Sequence, residues 1–178
     1  SREEVVKEIE KRVEELNRRL EETVRRVIEE MKRLNKESKE VSKKIVDEVR
    51  KLLDDVRREK GETEELKRLE ERIREAEKTS KKLNDDHERE SRKLARRLEE
   101  LLERHKRETR RIIEEMRRAK LEEDELRRLL ERIEKTVREL KREIEKILED
   151  ATRTVEDLKR KNEELLRRLK KLADDVKK

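Results

Sequence analysis

Two histidines, His87 and His105, are the only side chains whose ordinary titration lies near neutral pH, and both stand in repeated surroundings. They are eighteen residues apart, five helical turns, so on a helix they share one face at a spacing of about 27 Å. HERES at His87–Ser91 echoes HKRET at His105–Thr109. The same interval separates Asn17 from Asn35 and Thr136 from Thr154, and TVRELKR from Thr136 echoes TVEDLKR from Thr154. A neutral imidazole offers one donor and one acceptor, and amides and hydroxyls offer both. The chemistry such residues can do together is to close a buried hydrogen-bond network that also titrates.

Other chemistry has no footing in these residues. With no cysteine there is no disulfide, no thiol nucleophile and no Cys-ligated zinc. A metal shared by His87 and His105 is excluded by the ~27 Å between them. Neither has a second histidine or an inward carboxylate at helical spacing; Arg104, Glu108 and Asp86 read as outward. There is no Ser-His-Asp pattern, no glycine-rich phosphate loop and no pair of acids facing a pocket. The expectation is therefore no enzyme, no catalytic or metal-binding residue and no cofactor. So thin a bundle is also expected to lack a useful cavity, and hence a small-molecule ligand.

The elements that must position these residues are helices. In 178 residues there is one glycine, no proline and no aromatic, so tight turns and β architectures have almost nothing to be built from. Apolar residues recur in steps of three and four. The first stripe runs from Val6 through Ile9, Val13, Leu16 and Leu20 to Val41, Ile45, Val49, Leu52 and Val56. A second runs from Leu66 to Met116, and a third from Leu126 and Leu130 to Val176. Ser1 and Glu4 form a capping-box pattern, Lys60-Gly61 a helix end, and Thr63 an N-cap. The second break is disclosed by a repeat at an offset of sixty: VRREKGETEELKRLEERI from Val56 and MRRAKLEEDELRRLLERI from Met116, with Asp124 as the candidate N-cap. The fold class is all-α: a long antiparallel up-down-up three-helix bundle of nearly straight helices, one domain over 1–178, with helices at about 2–59, 64–118 and 124–177. The 51 apolar residues suffice for one such core.

Short connections place residue n of the first helix beside about 122 − n of the second, and n of the second beside about 241 − n of the third. Asn17, His105 and Thr136 then form one polar layer, and Asn35, His87 and Thr154 another. Ser38, Ser42, Thr79, Ser80, Asn84, Ser91, Thr109 and Asn162 lie at their periphery. A buried polar group without a partner costs ~1–3 kcal/mol, so the layers make sense only if their members bond one another. The plainer reading of each is a register device that penalises wrong alignments.

Charge gives no sign of a partner. Lys and Arg number 57 against 51 Asp and Glu. The split is 19 basic to 17 acidic over 1–60, 20 to 17 over 61–120 and 18 to 17 over 121–178. Without a basic stripe or stacking aromatics, nucleic-acid binding is not expected. No run of about 20 apolar residues exists to cross a membrane.

On the Glu/Lys/Arg surface, the Leu/Ile/Val core, the reused loop frame and the Asn-His-Thr layers, the whole chain resembles de novo designed helical bundles with buried hydrogen-bond networks. Some members of that group use network histidines to make assembly depend on pH. The resemblance implies a soluble scaffold with no natural activity or location, cytoplasmic when expressed recombinantly, whose stability falls as His87 and His105 protonate. Such designs are often oligomers of hairpins, whereas this chain supplies three helices itself; it is a monomer or a homo-oligomer. The alternative is a self-assembling module using a second apolar face of Val5, Ile28, Val46, Leu102, Ile113, Leu148 and Leu166. A spectrin-like spacer fits less well, since such repeats carry aromatics.

Overall fold

The computed structural model describes residues 1–58 and 63–177. Three long helices pack as a bundle: α1 Arg2–Arg58, α2 Thr63–Arg118 and α3 Glu123–Lys177. The Lys60-Gly61 turn and the side chain of Thr63 lie outside the described residues. Each helix follows from one apolar stripe on a strongly charged cylinder, with nothing in its interior to break it.

The chain divides into two compact units, each built from a piece of all three helices. The first comprises Ser1–Lys32 and Arg92–Glu149. Its core joins Ile9, Val13 and Leu16 of α1 to Ile112 and Met116 of α2 and to Leu129 and Ile133 of α3. Arg2 donates to the Lys120 carbonyl and Arg12 pairs with Glu115, so α1 and α2 run antiparallel here. The second unit comprises Arg33–Ser91 and Asp150–Lys178, with a core of Ile45, Val49, Ile73, Ala76, Leu165, Leu169 and Leu172. There α1 and α2 are again antiparallel, as Ser38 meets His87 and Asp55 meets Arg72. So are α2 and α3, as Ser80 meets Asn162 and Asn84 meets Leu158.

The stripes need two corrections. Val41 is 39% exposed, and the neighbouring Ser42 takes the buried position. In α3 it is Leu129 that is buried, with Leu130 half-buried beside it. In both cases two adjacent residues compete for one inward position, and a choice by hydrophobicity or by even spacing picks the wrong one.

The connection from α2 to α3 closes without glycine or proline. Lys120 adopts a left-handed backbone, φ 53°. Its N–H donates to the Arg117 carbonyl at 3.2 Å, and the Leu121 N–H to the Met116 carbonyl at 3.3 Å. These are the two bonds of a Schellman end, and Leu121 packs on the cluster that holds Met116. The Leu126 N–H then bonds the Glu122 carbonyl at 3.0 Å, which makes Glu122 the N-cap position. Asp124, expected to cap, instead lies in the first turn with Glu123 and Glu125, where negative charge suits the helix dipole. A lysine in the left-handed region carries a steric cost that glycine avoids. Lys120→Gly is expected to raise stability to guanidinium by up to about 1 kcal/mol after glycine's own entropy cost. An unchanged or lower midpoint would show that the lysine conformation carries no strain.

Candidate functional site

The polar core of the second unit is extensive. Asn35, Ser38 and Ser42 of α1, Ser80, Asn84, His87 and Ser91 of α2, and Thr154 of α3 are all buried. His87 lies at its centre with 1% of its surface exposed. Its Nδ1 is 2.7 Å from the Ser38 hydroxyl, and its Nε2 is 3.4 Å from that of Ser91. Nearby, the Ser80 hydroxyl donates to Asn162 Oδ1, and Asn84 Nδ2 donates to the Leu158 carbonyl at 3.4 Å.

The trio Asn35, His87 and Thr154 is therefore not joined as the register rule has it. Asn35 Oδ1 is buried without a partner. The Thr154 hydroxyl donates to its own helix, to the Asp150 carbonyl at 2.8 Å. Thr79 does likewise with Glu75 at 2.8 Å, and it is exposed rather than part of the network. A hydroxyl on a helix always has the carbonyl four residues back within reach, so threonine need not look across the bundle. Histidine reaches Ser38 instead of Asn35 for a geometric reason. Every helical side chain leans toward the N-terminus of its own helix. Between antiparallel helices the two leans point to opposite ends, so the His87 ring meets a residue about a turn C-terminal to its partner by backbone level, whereas Ser80 and Asn162 bond at the level the rule gives.

The first unit carries the homologous layer in a different state. His105 is buried, with 5% exposed, but its Nε2 has no hydrogen-bond partner; nor has Asn17 Oδ1 or the Thr109 hydroxyl. Asn17 and Thr136 are half-buried. By the eighteen-residue repeat Thr109 stands where Ser91 meets the His87 Nε2, yet the Thr109 hydroxyl and the His105 Nε2 are both without a partner. At the position of Ser38, which meets Nδ1, stands Leu20.

Both rings resist protonation. Burial, with the positive Lys39 nearby, pushes His87 below the ordinary 6.5. Burial lowers His105 as well, against an opposing pull from Glu108, which is half-buried rather than outward. Among the described residues no group of His, Cys, Asp or Glu is arranged to hold a metal ion. No helix is long and apolar enough to cross a membrane. Two pockets, each half open to solvent, border His105 within the first unit. One of about 600 Å³ lies between α2 and α3 beside His105. Another of about 230 Å³ lies between α1 and α2 on Leu16, Leu20 and His105.

Among solved structures, the chain is similar to one described as a computationally designed three helix bundle. The TM-score is 0.56 at 20% identity, over 98% of this chain and 96% of that one. At this identity the likeness speaks for the fold. No family model matches the sequence, nor does any curated protein, so no catalytic family is evident.

Ser38→Ala is expected to cost about 1–3 kcal/mol in chemical denaturation, because it strips the partner from a buried ring nitrogen. Thr154→Val, which removes only a bond to the same helix, is expected to cost less than about 1 kcal/mol. Equal losses in the two variants would contradict this division of roles.

Proposed function

We propose that this chain is a designed structural scaffold without catalytic activity, whose buried histidines make its stability fall in acid. The observation that carries the reading is His87, sealed in the core with a serine at each ring nitrogen. The absence of aromatics, the charged surface and the likeness to a designed bundle support the same origin.

The serine cage alone does not demand a neutral ring. Hydroxyls rotate, and two serines can accept from a doubly protonated imidazole as readily as they serve a neutral one. What opposes the proton at His87 is lost hydration together with Lys39. At His105 desolvation acts alone and Glu108 acts against it. Other charges bordering the cavities at His105 are Arg19 of α1, Glu103, Arg104, Lys106 and Arg110 of α2, and Glu134, Arg138 and Lys141 of α3. They include more bases than acids, which is no help to an imidazolium.

The sign follows from linkage. The unfolded chain takes up its histidine protons near 6.5, and the folded chain only at lower pH. Between those points the unfolded state holds more protons, so stability rises with pH. The histidine contribution is full above the unfolded value and is lost as pH falls below it. The self-assembling alternative has less support. Ile28 is buried, Val46, Leu102, Ile113, Leu148 and Leu166 are half-buried, and only Val5 of that set is exposed.

Urea denaturation at about pH 7.4 and about pH 4.5 tests the reading, with His87→Leu/His105→Leu as the comparison. The parent is expected to lose more stability in acid than the double variant. The same loss in both would assign the acid response to carboxylates and remove the histidines from it.

A further inference from the structure

We propose that the half-open pocket between α2 and α3 beside His105 binds small aromatic alcohols. Its volume is about 600 Å³, and Leu102, Ile133 and Val137 give it apolar walls. His105 and Thr109 also line it, and both bring a buried polar atom without a partner: the imidazole Nε2 and the threonine Oγ1. His105 is a built element of the core at 5% exposure, not a surface side chain passing by.

The two orphaned atoms define what completes them. The imidazole nitrogen and the threonine hydroxyl, four residues apart on one helix, each call for a group able to donate or accept, and a hydroxyl does both. A phenolic hydroxyl is the stronger donor, and its ring suits the Leu102, Ile133 and Val137 walls. The charged lining sets Lys106, Arg110, Arg138 and Lys141 against Glu103 and Glu134, a basic excess that disfavours a cationic ligand such as an arylamine salt. Both polar atoms are shut from solvent, so the ligand meets them by a turn of the imidazole and the threonine rotor as it seats. The hydrogen bond so formed lies away from water, where it is worth more than one at the surface.

The lack of Phe, Tyr and Trp makes the test clean, since any aromatic absorption, emission or induced near-ultraviolet dichroism belongs to the ligand. β-Naphthol and naphthalene are titrated against the full chain. β-Naphthol is expected to bind about tenfold more tightly, the equivalent of one buried hydrogen bond. The preference is expected to vanish in His105→Leu and to shrink to a few-fold in Thr109→Val, with helicity checked in both. Should His105→Leu fail to fold, Thr109→Val alone decides: an undiminished preference there overturns the proposal. Equal affinity for both probes in the parent, no binding of either, or a preference surviving His105→Leu overturns it as well.

Discussion

An imidazole taken out of water has two nitrogens to account for, and the polar interior of this bundle is organised by whether that account closes. At His87 it closes: one serine comes from the neighbouring helix and one from the next turn of its own. At His105 it does not, and an unmet nitrogen sits in the core beside an unmet threonine and an unmet amide. A neutral–neutral hydrogen bond adds only about 1 kcal/mol, but an orphaned buried group costs as much again or more. The two layers thus differ although the residues next to their histidines and threonines repeat. The unmet pair, the His105 Nε2 and the Thr109 hydroxyl, stands where the His87 Nε2 and Ser91 meet.

That contrast also marks how far the sequence could be read. The eighteen-residue repeat located both layers and named their histidines, because periodicity fixes which residues share a face. It could not say who bonds whom. Pairing by backbone level puts His87 opposite Asn35, whereas the side chains' opposed leans carry the contact to Ser38. Between helices running the same way the leans cancel. The level rule pairs residue 14 of α1 with 133 of α3, and Glu14 pairs with Arg132 at 3.6 Å. The second limit is competition from the local backbone. Thr79 and Thr154 satisfy themselves within a turn, which a pattern of polar letters does not reveal.

The helices themselves were legible for the opposite reason. Three amphipathic stripes with no breaker inside them allow little but three helices, and the repeat betrayed a turn that lacks both glycine and proline. Local errors arose where polar residues enter the stripe. Around Val41 and Ser42 the inward series runs Asn35, Ser38, Ser42, Ile45, so the apolar residue is the flanking one and the serine is core. A reading that ranks residues by hydrophobicity inverts that pair. The loop hid its mechanism in the same way. Lysine is not a residue from which a left-handed turn is read, yet Lys120 closes the helix end with the bonds a glycine would make.

A polar layer has a second consequence besides titration, and it is a matter of volume. Asparagine, serine and threonine are smaller than the leucine they displace, and no aromatic is present to fill what they leave. Interiors tolerate little empty space, because side chains lining a gap lose their dispersion partners on one side. Where hydroxyls and amides bond across the helices, as around His87, the lost dispersion is offset by directional contacts. Around His105 the amide oxygen and the hydroxyl stay unpaired, and two half-open pockets border that ring. Small side chains do not account for them: Leu20, Leu98, Leu102 and Thr109 stand where the His87 layer has Ser38, Ser80, Asn84 and Ser91, so the layer that bonds least is the one with the larger residues.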